Sequence, residues 1–153
     1  MLDPDGRWAA FDRDRVVEVH AVADRAPVAA LATSPATRLA FSPDGRTLAV
    51  AALADGAVLV EFWDPATATI AGTARDLGHT AKITSMVYDQ RAALLATGDA
   101  AGRVVLLDAA ARRPIAATGP TGAPIQSLAF SPDGAWLATG DSRGMIRLHP
   151  VRR

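Results

Sequence analysis

The sequence contains no cysteine and no asparagine, and Lys82 is its one lysine beside fifteen arginines. The missing thiols exclude disulfide staples, thiolate metal sites and a cysteine nucleophile, so packing must supply the stability. Long apolar runs are missing too. No stretch approaches the roughly 18 uninterrupted apolar residues of a membrane-spanning helix. The opening "MLDPDGRWAAFDRDR" is charged throughout and lacks the apolar centre of a signal peptide. A cytoplasmic protein with no membrane partner is expected. Charge of one sign is absent as well: 16 basic residues offset 16 acidic ones, leaving no footprint for a nucleic-acid backbone. The Arg- and Ala-rich usage fits GC-rich coding in a bacterial genome. Apolar segments of helical length are lacking, because each run lasts about five to seven residues and then breaks.

What is present is a core-forming share of apolar residues, 50%, and a repeat. "LAFSPDGRTLAV" at 39–50 returns as "LAFSPDGAWLAT" at 128–139. Phe41, Tyr88 and Phe130 close three parallel phrases, "TRLAF", "TSMVY" and "QSLAF". A turn follows each: "SPDG" at 42–45, a degenerate "DQRA" at 89–92, and "SPDG" at 131–134. Pro presets an early turn φ and Gly accepts a positive one. Each turn feeds an apolar run, then a second turn, "ADG", "AAG" or "SRG", then "AVLVEFWD", "RVVLLD" or "MIRLHP". Weaker runs, "ATIAGTA" and "PIAATG", complete two units. Four short strands per unit of about 40 residues predict antiparallel meanders. The N-terminal segment aligns with the same phrase but begins at its turn, and the last unit stops after its third strand. The count expected is fourteen strands, in units 1–36, 37–77, 78–119 and 120–153.

In this order and period, Gly78-His79, the "SPDG" turns, and Trp63-Asp64 with its echo at Leu107-Asp108 resemble the WD-repeat β-propeller family. The resemblance covers nearly the whole chain. It implies an all-β fold: a partial β-propeller of four-stranded antiparallel blades, the first and last incomplete, each blade stacking both apolar faces on its neighbours. The phrase recurs because each copy packs against a near-copy.

Family members often knit a blade with a chain from the GH histidine through a hydroxyl and a turn Asp to the WD tryptophan. Carried over, that chain has His79 and Thr97 in the third unit, but Ala101 falls at the Asp position and Leu107 at the Trp position, so a broken network is expected. In the second unit, which holds Trp63 and Asp55, the GH position falls near Ala32. Two extra residues between Gly56 and Asp64 there suggest a β-bulge. In the last unit Thr121, Arg143 and His149 occupy the matching places.

No catalytic, cofactor or metal site is expected. His20, His79 and His149 are separated by 59 and 70 residues and match no ligand motif. Ser85, His79 and Asp99 lack a nucleophile elbow. "TGPTG" has no following Lys to make a phosphate cradle. Trp8, Trp63 and Trp136 sit in strand positions, as core residues do. The inner phrases carry no cluster of His, Asp or Glu for a site in a central channel. Recognition is left to the rim loops "GHTAK", "DAAGR", "GPTGAP" and "DSRG", where Lys82, Asp99, Arg103, Asp141 and Arg143 are the candidate partner contacts.

An arc of four blades leaves two faces bare, each forfeiting on the order of 10 kcal/mol of burial. The expected function is therefore a non-catalytic interaction scaffold. It would complete its ring with a second copy or the remainder of a larger propeller. The alternative is a regulatory module of a multidomain bacterial NTPase or protease.

Overall fold

The computed structural model describes residues 1–13, 16–31, 36–91 and 93–152. Among them the chain forms fourteen strands and no helix. The first sheet holds β1 (Trp8–Arg13), β2 (Val16–Ala21) and β3 (Ala26–Leu31). The second holds β4 (Ala36–Phe41), β5 (Leu48–Ala54), β6 (Ala57–Asp64) and β7 (Thr69–Ala74). β8 (Ile83–Tyr88), β9 (Leu94–Asp99), β10 (Val104–Asp108) and β11 (Arg113–Ala117) make the third. The fourth holds β12 (Ile125–Phe130), β13 (Trp136–Asp141) and β14 (Ile146–Pro150). Each is an antiparallel meander in chain order, and among the described residues no strand pairs from one sheet into the next.

Three apolar cores lie between successive sheets. Ala10, Val17 and Val19 of the first blade meet Phe41, Leu48 and Val50 of the second. Ala49, Val60 and Phe62 on the other face of the second meet Leu95, Val105 and Leu107 of the third. Leu94, Ala96, Val104 and Leu106 of the third then meet Ile125 and Leu137 of the fourth. Because side chains alternate across a strand, a strand between two blades is buried on both sides. All six residues of β9 are buried, whereas in β14 exposed and half-buried residues alternate.

The turn before the second strand is held alike in every blade. In "SPDG" the Ser42 hydroxyl donates to Asp44 Oδ1 (2.6 Å) and accepts from Thr47 N (3.0 Å), while Gly45 takes φ +64°. Ser131, Asp133 and Trp136 repeat this at 2.5 and 2.9 Å. These bonds, with Ser42 and Ser131 as first cause, hold both carboxyls below the ordinary carboxylate value. The other two blades use a carboxylate in place of the hydroxyl: Trp8 N donates to Asp3 Oδ1 (2.7 Å) and Leu94 N to Asp89 Oδ1 (2.9 Å). The degenerate "DQRA" thus keeps its anchor in Asp89, while Ala92 lies outside the described residues.

Met1 and Leu2 take the innermost position of the first blade. Met1 and Ala10 exchange two backbone bonds of 2.8 Å, and Leu2 bridges Ala9. These two residues stand where Ala40 and Phe41 stand against Ala49 and Leu48.

A bulge does lie in the expected stretch of the second blade, at Phe62/Trp63, but the two extra residues do not make it. The ladder from β5 to β6 runs unbroken to Ala54↔Ala57. The extra residues lengthen that hairpin, which closes through Asp55 (φ +50°) and Gly56 (φ +77°), the two left-handed residues of a type I′ turn. That bulge recurs at Val19/His20 and Leu106/Leu107, the same place on the outer side of blades without the extra residues, and the inner pairing shifts at Ala36/Arg38, Ile83/Ser85 and Ile125/Ser127.

Candidate functional site

The rim turns of the third and fourth blades are built on two aspartates. Asp99 Oδ1 accepts from Ala101 N and Arg103 N, each at 2.9 Å, which closes the turn between β9 and β10. Its other oxygen, Oδ2, lies 2.8 Å from His79 Nδ1. An ionised carboxylate only accepts, so Nδ1 carries the ring proton and Nε2 faces Thr97 Oγ1 at 2.8 Å. The break expected at position 101 is therefore corrected, while the one at Leu107 stands. Asp99, two residues earlier, fills the role expected of position 101, because a strand-end side chain reaches both the turn amides and the histidine. The Trp position does hold Leu107, and the Thr97 hydroxyl reaches the Val105 carbonyl at 3.3 Å. Burial pushes the His79 pKa down, against the pull of Asp99, with a further push from Arg103.

Asp141 repeats the turn: Oδ1 accepts from Arg143 N (2.9 Å) and Met145 N (3.1 Å). Here Thr121 stands in place of the histidine, and Oδ2 is taken by Arg147 Nη1 at 3.0 Å. Burial raises the Asp141 pKa, but Arg147 and the two amides outweigh it and hold the carboxyl below its ordinary value. Thr139 Oγ1 lies 3.2 Å from His149 Nε2, so the Thr–Asp pair is kept in both blades. The doubled phrase "LATGD", at 95–99 and 137–141, is the signal in the sequence for both aspartates.

The five candidate rim contacts accordingly divide. Lys82 and Arg143 are exposed, and Arg143 reaches back to the Gly122 carbonyl at 3.1 Å. Arg103 is half-buried over Gly78, with a buried Nε that has no partner. Asp99 and Asp141 point inward, their oxygens occupied by the turns they close. Of the repeat signature, Asp64 Oδ1 accepts from Ala66 N (2.8 Å) and Asp108 Oδ1 from Ala111 N (2.8 Å), anchoring the next turns. Trp63 donates to Glu61 Oε2 at 3.0 Å instead of to a hydroxyl. The position near Ala32 lies outside the described residues.

These groups are not arranged for chemistry. The side chains of His79 and Asp99 are both 0% exposed, which closes them to a substrate, and the third member is Thr97 and not Ser85. Among the described residues no three His, Asp or Glu side chains gather as metal ligands, and no helix is long and apolar enough to cross a membrane.

The apolar surface lies at the two ends of the arc. Trp136 (46% exposed), Ile146 (75%) and Leu148 (65%) stand at the positions of Leu94, Val104 and Leu106, which the third blade buries against the fourth. At the other end Phe11 is half exposed beside Ala9, Glu18 and His20. His20 Nε2 meets Glu18 at 3.1 Å, as Trp63 meets Glu61 one blade on. Phe11 packs edge-on to the His20 ring at 5.8 Å.

Residues 113–149 match the family described as WD domain, G-beta repeat. The all-β fold of four successive antiparallel sheets is consistent with a partial propeller, and the match places one WD repeat within it. The matched segment runs from the start of β11 to His149 in β14, so one repeat of sequence takes the outer strand of one blade and the inner three of the next. Such a WD repeat ties neighbouring blades covalently. No curated protein matches the chain.

Proposed function

We propose that this WD-repeat arc is a protein-interaction scaffold whose two bare faces are completed head to tail, by a second copy in the first instance. The observation that carries this reading is an equivalence between the ends. Ala138, Ile146 and Leu148 on the free face of the fourth blade occupy the positions of Ala10, Val17 and Val19 in the first. The latter three cover Leu48, Val50 and Trp63 of the second blade. The free face of the first blade offers Ala9, Phe11 and the Glu18–His20 pair at the positions of Leu48, Val50 and the Glu61–Trp63 pair. Each end therefore presents the half of an interface that the other end lacks, and a head-to-tail contact of this kind closes into a ring when the rotation allows. Lys82, Arg143 and Arg103 on the rim then remain for other protein partners.

The test is the mass of the chain in solution by light scattering. A multiple of the chain mass is expected, reduced to one chain by Ile146→Asp or Leu148→Asp with an unchanged far-UV circular dichroism spectrum. A folded monomer at micromolar concentration that neither substitution alters would overturn the reading.

A further inference from the structure

The junction of the second and third blades holds a cavity that the scaffold reading does not use. Its volume is about 250 Å³, and Ser42, Asp44, Phe62, Tyr88 and Arg112 line it. That is well beyond the roughly 30 Å³ share of one water and just short of the roughly 300 Å³ at which ordinary ligand pockets begin. A ligand of a few non-hydrogen atoms has room there. Asp44 and Ala110 are exposed and mark the mouth, whereas Phe62 and Tyr88 are buried and lie inward.

Three polar groups meet this space without meeting each other. Tyr88 is only 7% exposed, and its hydroxyl has no hydrogen-bond partner among the described residues. Burial first, then the Asp44 charge, pushes the Tyr88 pKa up against the pull of Arg112, so the phenol keeps its proton and can donate. Both of these charges act on the hydroxyl and both line the cavity, which places the hydroxyl on its wall. The Ser42 hydroxyl and Arg46 N hold Asp44 Oδ1 and so fix the carboxylate at the mouth. Among the described residues no ion pair joins Asp44 to Arg112.

The preceding junction builds the same place differently. Phe41 pairs with Leu48 as Tyr88 pairs with Leu95, and Ala68 precedes β7 as Arg112 precedes β11, at φ +56° and +55°. There Phe41 and Ala68 pack in one apolar cluster, and Asp5, in the place of Asp44, is paired with Arg7 at 3.2 Å. A buried hydroxyl without a partner costs stability, and phenylalanine would remove that cost, as it does at position 41. The two junctions share a backbone, yet hydroxyl, guanidinium and unpaired carboxylate come together in one of them.

We propose that this cavity binds a small α-amino acid. Its carboxylate accepts from the Tyr88 hydroxyl and the Arg112 guanidinium, its ammonium donates to Asp44, and its short side chain lies against Phe62. A lone anion would face Asp44 and a lone cation would face Arg112, so a ligand carrying both charges fits where neither half does.

The probe is L-alanine, titrated into the full chain and followed by the amide resonances of residues 42–47 and 109–112. Saturation at one ligand per chain is expected, with propionate and ethylamine, which each keep one charge of the pair, binding about tenfold more weakly or worse. That comparison uses the unaltered chain and needs no variant to fold. Tyr88→Phe and Arg112→Ala install the residues of the preceding junction and each weaken L-alanine by about tenfold or more, the first without lowering the denaturation midpoint. Asp44→Asn keeps the turn acceptor and removes the preference for L-alanine over propionate. Absence of saturation at tens of millimolar L-alanine overturns the proposal, as does propionate or ethylamine binding equally well, or full affinity in Tyr88→Phe. A lowered midpoint in Tyr88→Phe would mean that the hydroxyl is already satisfied, and overturns it too.

Discussion

The second and third blades share strand order and outer bulge, yet hold their middle hairpins by opposite means. In the second, Val50 and Ala52 take the places of Thr97 and Asp99, and the strands run on to a two-residue turn. Backbone pairing does the holding, with a side-chain tie from Trp63 to Glu61. In the third, the hairpin stops early at Asp99, whose carboxylate replaces the missing ladder and reaches His79. One meander is thus stabilised by ladder length or by a buried carboxylate, and the choice decides where each blade is vulnerable. The longer hairpin spreads its support over many pairs, while the shorter one concentrates it in a single side chain.

The largest expected effect follows from that concentration. Asp99→Ala strands two turn amides and the ring proton of His79, which should cost about 3 kcal/mol, in the range for breaking a buried polar network. In chemical denaturation the midpoint falls with little change in slope. Asp141→Ala should cost less, because Arg147 is partly exposed and recovers water. A loss under about 1 kcal/mol at Asp99 would mean that the backbone holds the third blade as it holds the second.

Glycines at the two hairpin tips sharpen the contrast. Gly56 and Gly102 both need a positive φ, so an added methyl costs each about 1 kcal/mol in strain. A Cβ added at Gly56 would find nothing within 4 Å, whereas at Gly102 it would meet the Thr121 hydroxyl and stand 2.5 Å from the Ala123 carbonyl. Gly102→Ala should therefore lose about 2 kcal/mol more than Gly56→Ala, by overpacking against the next blade. Equal midpoints would show that the loop at 121–123 yields freely.

Strands and turns are legible in the sequence because they rest on local rules: period-two burial, Gly at left-handed positions, Ser or Asp opening the turn. The repeat supplies what local rules cannot, since near-copies imply that like faces meet. The role of Asp99 is harder to read, because alignment by motif fixes on the turn residue at 101. In three dimensions the end of β9 lies nearer His79, and only the doubled "LATGD" hints at it. The lengthened hairpin of the second blade looks like a bulge because an insertion in sequence does not say whether it breaks a ladder or extends it. Asp99 and Asp141 look like surface groups for a related reason: a charge in a loop motif reads as solvated until its partners are placed.

The histidines give the two halves of the comparison different acid responses. Burial depresses the pKa of His79, and burial together with the Arg147 charge depresses that of His149. An unfolded chain takes up those protons near pH 6.5, before the folded one does. The stability that the neutral rings contribute is therefore complete above about pH 6.5 and declines as pH falls toward the depressed folded values, at up to about 1.4 kcal/mol per pH unit for each proton. His79→Gln should flatten the limb between about pH 6.5 and 5, and His149→Gln should flatten it further. The second blade carries Trp63 at the position of His149 and has no histidine. Its Asp44, held low by Ser42, loses its contribution only below about pH 3.8. An unchanged limb in both variants would detach the histidines from the stability of their blades.

The smallest effect tests the Trp63–Glu61 tie of the second blade. Glu61→Gln keeps an acceptor for the Trp63 indole while removing the charge, and both side chains are half-buried, so the loss should be about 0.5 kcal/mol. Glu61→Ala removes the acceptor altogether, but Trp63 still packs among Leu48, Val50 and Val17, and water can take the indole proton at the blade's partly open side. The alanine variant should therefore cost about 1 kcal/mol, well short of Asp99→Ala, when both are measured by the same denaturant titration. If Glu61→Ala instead matches Asp99→Ala, the second blade depends on its tie as fully as the third does, and ladder length has ceased to explain the difference between them.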